Sequence, residues 1–333
     1  MALLALPILF FLLLLTAVLL LFKRWKLAAI TFTALLLHNW YWQVFPLNLF
    51  YSEKPAENTC RVVTYNIYPQ VDSTHYDQWQ RDMLEEIKRL RPDILCLQEF
   101  KNPEMEWLEK ELCKYFSYTE DEVTERWLTK WLLYSRFPMS QITRYKPVCE
   151  FDTTGVDTAF NKALCNHYRR MPFYSANIHL PSGDSVTVFS CHLQSSGYSS
   201  IRRKMKESES WFDGIGRYSN AYRTAERLRL WEARSFRQVL DSIGNDRAII
   251  IAGDFNDFNQ SECLRTIQGN TIVDAWWENG CGLGLTYTGF GMKLRLDHIL
   301  YNNKVKNEHI EVGKSELSDH HPLICDFSIV NDK

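Results

Sequence analysis

Met1 to Phe22 contains no charged residue and is built mostly from Leu, Phe, Ala, Val and Ile. An apolar run of this length suits a helix crossing roughly 30 Å of hydrocarbon, so this end of the chain reads as transmembrane. A cleavable signal would place its basic residues ahead of a shorter apolar core, whereas Lys23, Arg24 and Lys26 follow a longer one. A second uncharged stretch runs from Leu27 to about Tyr51, strongly apolar to Leu37 and then amphipathic through His38, Asn39, Trp40, Tyr41, Trp42 and Gln43. Those aromatics suit a membrane interface, and the alternative is a helix lying on the surface or packed on the rest of the protein. If both stretches cross, the basic cluster between them stays cytoplasmic, and the N-terminus and residues 53–333 lie on the far, extracytoplasmic side.

Residues 53–333 carry a formal net charge of −5, which excludes wholesale basic coating of nucleic acid. Nine cysteines with no CxxC pair indicate neither a zinc knuckle nor a complete disulfide framework. They sit poorly with an oxidising compartment unless they are buried and inert. Ser52 to Thr59 reads as a polar linker, giving an expected division into a 1–52 membrane anchor and a 53–333 domain. Within that domain, strands are expected at Arg61–Asn66, Ile94–Leu97, Ala248–Ala252, Leu296–Tyr301 and Leu323–Ile329. Trp79, Met83, Ile87 and Leu90 recur at helical spacing ahead of Pro92, giving a β-α-β opening. Pro172–Leu180 and Ser185–Cys191 flank a Pro-Ser-Gly-Asp turn, so the sheet is not purely parallel. Ala225, Leu228, Ser235 and Val239 share one face of a long helix ending near Gly244.

Polar groups follow these apolar strands at Asn66, Gln98-Glu99, His192, Gly253-Asp-Phe-Asn256, Asp297-His298 and Ser318-Asp-His-His-Pro322. Any one of them alone suits a strand-end cap or turn. Together, carboxylates and amides without cysteine are hard donors suited to Mg²⁺ or Mn²⁺, and the histidines handle protons near neutral pH. That inventory matches metal-assisted attack of water on a phosphate ester.

Thr64-Tyr-Asn66, Leu97-Gln-Glu99, Tyr134-Ser-Arg-Phe-Pro138, Cys191-His-Leu193, Gly253-Asp-Phe-Asn256, Arg295-Leu-Asp-His-Ile299 and Ser318-Asp-His-His-Pro322 occur in one order over about residues 60–329. In this the chain resembles the endonuclease/exonuclease/phosphatase family of metal-dependent phosphoesterases. The resemblance implies a four-layer α/β sandwich, two central sheets covered by helices. It also implies Glu99 as principal metal ligand, Asn66 beside it, and Asp319 completing or supplementing the metal site. His320 is similar to a general base oriented by Asp297, Asp254 to the residue aligning the attacking water, and Asn256 to a donor to phosphate oxygens. His192 resembles the group that stabilises the developing phosphorane or protonates the leaving oxygen. Gln98, His298 and His321 are expected to be structural neighbours.

Asp274-Ala-Trp-Trp through Gly282-Leu-Gly-Leu-Thr-Tyr287 resembles a loop of membrane-attached bacterial members, though a plain loop on the sheet edge fits the same residues. Residues 202–237 hold ten Lys/Arg against five acids. That segment could border the site and attract a nucleic-acid backbone or an anionic headgroup, or simply be a solvated helix face. The resulting expectation is a membrane-anchored phosphodiesterase, possibly a nuclease. A phosphatase or phosphodiesterase acting on a lipid or inositol headgroup is the alternative, and a non-catalytic binding module the remote one.

Overall fold

In β1 (Cys60–Asn66) the adjacent residues Val62 and Val63 are both fully buried, so this strand is covered on its two faces. The same holds for β8 (Ala248–Asp254), where every residue is buried. Such runs belong to a sheet with a packed layer on each side. In the computed structural model, which describes residues 2–42, 44–48, 59–100, 104–121, 130–145, 173–196, 211–289 and 293–330, those layers are a second sheet and a helix.

The first sheet contains β1, β2 (Ile94–Phe100), β3 (Tyr118–Asp121), β4 (Lys130–Ser135), β11 (Val305–Val312) and β12 (Leu323–Ile329), in the order β11-β12-β1-β2-β4-β3. The second contains β5 (Met139–Tyr145), β6 (Phe173–His179), β7 (Ser185–His192), β8, β9 (Ile272–Asp274) and β10 (Asp297–Asn302), in the order β5-β6-β7-β8-β10-β9. Each sheet has one parallel central pair, β1 with β2 and β7 with β8, among antiparallel neighbours. Parallel pairing needs a crossover. α3 (Tyr76–Leu90) supplies it in the first sheet and α5 (Trp211–Ile243) in the second, while α4 (Glu106–Tyr115) and α6 (Glu262–Gln268) complete the outer layers.

Alternate strand residues sort into these layers. Val62, Ile94, Cys96, Val188, Ile250 and Ile299 fill the space between the sheets. Val63, Leu95 and Leu97 meet Trp79, Met83 and Ile87 of α3. Phe189, Ile249 and Ile251 meet Ala233, Phe236 and Leu240 of α5. The result is helices, sheet, sheet, helices, as the resemblance implies. β3, β4, β5, β9 and β11 were not anticipated from sequence; β5 in particular has no fully buried residue and so lacks a buried apolar run. α7 (Ala275–Asn279), N-capped by the Asp274 side chain, inserts Ala275 and Trp276 into the inter-sheet core at the sandwich edge.

Ahead of the sandwich, α1 (Ala2–Leu21) turns through Phe22 to Arg24 into α2 (Trp25–Trp42). Thr16 and Thr31 share a 2.7 Å hydrogen bond, and Ala28 is buried against the pair of helices. Among the described residues, no helix is long and apolar enough to cross a membrane.

Candidate active site

The C-terminal ends of all four parallel strands lie at one end of the sandwich. Asn66 closes β1 and His192 closes β7, which is in register with Asp254 at the end of β8. Antiparallel pairing sets Asp297, the first residue of β10, directly opposite Asp254. The loop before β12 brings His320 to the same edge, where Ser318 Oγ donates to Asn66 O at 2.8 Å and accepts from His320 N at 3.2 Å.

Glu99 arrives differently. The pairing of β2 with β4 shifts between Leu97 and Phe100, and Glu99 sits in the left-handed region at φ 57°. This bulge turns the carboxylate off the strand's own alternation and into the site, a conformation that costs on the order of 1 kcal/mol or more in a residue with a Cβ. Asn256 is the second left-handed residue of the site, at φ 51°, held by its N–H donating to Asp254 Oδ1 at 2.7 Å and its side chain donating to Leu193 O at 3.2 Å.

The two sheets are joined here by polar contacts. Asn66 Nδ2, from the first sheet, donates to Asp254 Oδ2 of the second at 2.9 Å and to Glu99 Oε1 at 3.1 Å. His192 Nε2 lies 3.6 Å from Glu99 Oε1 and 3.8 Å from Asp254 Oδ2. His320 Nε2 lies 3.8 Å from Asp254 Oδ2, while its Nδ1 is 2.8 Å from Asp297 Oδ2. Asp297 is anchored from behind by Thr286, whose Oγ1 accepts from the N–H groups of Leu296 and Asp297, each at 3.1 Å. Tyr287 packs against the His320 ring with centroids 4.9 Å apart.

These groups shift one another's proton affinities. Burial pushes the Asp254 carboxyl up to about 7, partly offset by the His320 charge. Burial works against charge on His320, but Asp297 and Asp254 outweigh it and lift the imidazole to about 10. Burial also raises the Asp319 carboxyl, opposed by His320 and assisted by Glu99.

The donor set fits a hard divalent cation. Single ligand atoms of Glu99, His192 and Asp254 lie within 4.8 Å of one another, as do those of Asp254, Asp297 and His320. Asp319 Oδ1 is buried with no hydrogen-bond partner, an arrangement suited to an ion or to bound water. Asp319 joins neither tight cluster among the described residues. Asn66 presents its amide nitrogen to the carboxylates, its oxygen accepting from Tyr68 N at 3.2 Å, so here it spaces Glu99 and Asp254 as a donor.

All eight expected site residues therefore reach this end of the sandwich. Gln98 lies in the sheet, bonded to Thr64 and Cys96, and His298 is fully buried between Asp274 and the Asp257 carbonyl. His321 accepts from Ser315 N. Sequence reasoning missed Thr286, the buried Asp274–Arg295 pair at 3.0 Å and the buried Arg229 beside Asp257. A Thr gives no sequence signal of a tertiary staple, and only an unexpected charge within an amphipathic helix pointed to Arg229. Of the basic segment, Arg229 and Arg237 are used inside the fold, the latter donating to Asp241 and to the Ile267 carbonyl. Arg202, Arg203, Lys204 and Lys206 lie outside the described residues.

Residues 63–320 match the Endonuclease/Exonuclease/phosphatase family. Comparison with curated proteins finds no match. Among solved structures, the chain is similar to a humanized D. rerio TDP2, at 17% identity over 81% of this chain and 99% of that one, with a TM-score of 0.57. It is similar to the human Nocturnin catalytic domain, solved with a bound sulfate anion, at 17% identity over 86% and 100% of the two chains, with a TM-score of 0.56. It also resembles a family protein from Bacteroides thetaiotaomicron, at 12% identity over 84% and 100%, with a TM-score of 0.54. At these identities the likeness establishes the fold.

Proposed function

Since the chain belongs to the endonuclease/exonuclease/phosphatase family and is a hydrolytic phosphoesterase, we propose that it is a membrane-anchored, Mg²⁺- or Mn²⁺-dependent phosphodiesterase of nuclease type. The observation that carries this reading is the convergence of Glu99, Asp254 and His192 beside the His320–Asp297 pair at the junction of the two sheets. Glu99 and Asp254 would hold the cation, with Asp319 as a further oxygen donor. When bound, the cation neutralises charge on the phosphoryl oxygens and helps ionise a water.

The chain's own groups do the rest. Asp297 holds His320 Nδ1 at 2.8 Å and directs Nε2 to the site; Nε2 would be free to take a proton once a cation beside Asp254 offsets the carboxylate charge that keeps the imidazole protonated. Asp254 orients the attacking water and Asn256 donates to a phosphate oxygen. His192 stabilises charge that develops on the leaving side. A phosphodiester is preferred because residues 202–237, which follow the His192 strand in sequence, hold ten Lys/Arg against five acids, a charge balance suited to a phosphodiester backbone. The α1–α2 hairpin favours a second reading, hydrolysis of a lipid or inositol headgroup in the membrane that the hairpin would enter.

The full chain should hydrolyse at least one member of a panel of DNA, RNA, sphingomyelin, phosphoinositides and a generic phosphodiester when Mg²⁺ or Mn²⁺ is supplied. Glu99→Gln should lower both turnover and affinity for Mn²⁺, turnover by at least about a hundredfold, because an amide is a weaker ligand and leaves the site one negative charge short. Full activity in excess chelator would remove the metal from the mechanism.

A further inference from the structure

The segment that leaves α2, Val44–Asn48, lies against the protein as a short strap. Asn39, in the last turns of α2, grips it with two hydrogen bonds to Phe45, one to the carbonyl at 2.9 Å and one from the N–H at 2.8 Å. Val44 and Pro46 are buried. Leu47 bridges to Cys281, Pro46 O accepts from Gly282 N at 3.0 Å, and Asn48 Nδ2 donates to Gly280 O at 2.5 Å. The strap is thus tied at one end to the helical hairpin and at the other to the loop after α7.

That loop has little conformational preference of its own. Gly282 and Gly284 both take positive φ, and a Cβ at Gly284 would lie 2.4 Å from the Trp276 ring. Order comes from two external supports, the Trp276 indole, which donates to Gly282 O at 3.1 Å, and the strap. The same loop continues into Thr286 and Tyr287, which hold Asp297 from behind and cover His320. Thr286 O also accepts from His321 N at 2.6 Å. On its other side, Trp276 N donates to Asp274 Oδ1, and Asp274 pairs with Arg295, two residues before Asp297.

We propose that the strap is a positioning element for the His320–Asp297 pair, with Asn48 as a positioning residue that holds the Gly280–Tyr287 loop, so that the membrane end of the chain sets the alignment of the proton-handling pair. This rests on the proposed role of that pair in phosphoester hydrolysis. A chain with the strap displaced keeps Glu99 and Asp254, which come from β2 and β8. It loses one of the supports of the loop that runs behind Asp297 and over His320, where Leu294 still bonds Thr286 and Tyr287.

The test uses the full chain reconstituted in lipid bilayers, as Asn48→Ala, Phe45→Ala, Thr286→Val and the Asn48→Ala/Thr286→Val pair. Asn48→Ala and Phe45→Ala are each expected to speed amide exchange across residues 281–288, leave exchange in β1 and β8 unchanged, and lower kcat with KM unchanged. Turnover of a generic phosphodiester should fall about five- to tenfold, the scale of one lost hydrogen bond, with Mn²⁺ affinity unchanged. The double variant should cost less than the sum of its parts, because both singles loosen one loop. Unchanged exchange and unchanged kcat in both strap variants overturn the proposal, as does strict additivity. If the parent chain hydrolyses no phosphoester, the functional reading falls while exchange still judges the strap.

Discussion

At the residue scale, backbone geometry explains side chains that no pattern of hydrophobicity would require. Gly253 precedes Asp254 in β8, and a Cβ there would lie 2.0 Å from the carbonyl oxygen of Cys191 on the paired strand. Gly253→Ala must push β7 and β8 apart where His192 and Asp254 sit side by side. The expected cost is about 3 kcal/mol, the upper end for overpacking, read as a lower denaturant midpoint with an unchanged m-value. A midpoint equal to the parent's would show that this strand pair yields easily.

Proton affinities at the site make a second prediction at this scale. Asp254 rises from its ordinary 3.8 to about 7 and His320 from 6.5 to about 10 in the metal-free chain. Both folded values exceed the unfolded ones, so the folded chain binds more protons. Their contribution to stability is complete below the unfolded values and lost as pH rises through the folded ones. The metal-free protein should therefore lose denaturant resistance as pH rises towards about 7 and again towards about 10. His320→Gln should flatten the upper part of that decline. Mn²⁺ should flatten the lower part, by favouring ionised Asp254. A parent profile that stays level from pH 5 to 10 would contradict the origin given for both shifts.

At the scale of elements, α5 does more than cover a sheet. Arg229, fully buried, donates to Gln194 O at 2.9 Å and Ser196 Oγ at 2.8 Å, and lies 3.5 Å from Asp257. One turn on, Glu232 accepts from Gln194 N at 2.8 Å. A single helical face thus holds the loop that follows His192 and the turn that follows Asp254 and Asn256. Replacing Arg229 by Met leaves buried acids without their cation, and the expected loss is about 3–5 kcal/mol. Thermal unfolding of the variant checks this, and a change within about 0.5 kcal/mol, the range of ordinary surface substitutions, would show that the cluster adds little.

At the scale of the whole molecule, the proposed membrane anchor carries a proposed orientation. Lys23 and Arg24 lie in or beside the turn between α1 and α2, with Lys26 one residue into α2, and Phe22, Trp25, Trp40 and Tyr41 expose large faces near the hairpin's two ends. On the orientation proposed from this charge placement, a reporter fused after Lys333 behaves as exported and one fused after Lys26 as cytoplasmic. A cytoplasmic reading from the C-terminal fusion would invert the topology. The cysteines are compatible with either side. Cys60, Cys96, Cys191, Cys263 and Cys325 are buried, and burial raises each thiol well above its ordinary range, which makes them poor nucleophiles. Cys113 and Cys281 are exposed.

Much of this was legible before any coordinates, because strong local signals survive in one dimension. Apolar β-branched runs mark β1, β2, β8, β10 and β12, and helical spacing marks α3 up to Pro92. The polar residue after each run marks a strand end, and that placement delivered Asn66, His192, Asp254 and Asn256, whereas Asp297 opens β10 and His320 lies in the loop ahead of β12. Tertiary structure decided what depends on partners far apart in the chain. The left-handed bulge that aims Glu99 exists through pairing with β4, itself one of the unanticipated strands. Thr286 becomes a staple only when β10 lies against it, and Arg229 is paid for in desolvation only because Asp257 and the Gln194 loop close over it. The strap's grip on Gly280 and Gly282 joins residues more than two hundred positions apart. No periodicity or motif encodes such a contact, since its free energy arises only once both sheets have formed and brought the sandwich edge to the end of the helical hairpin.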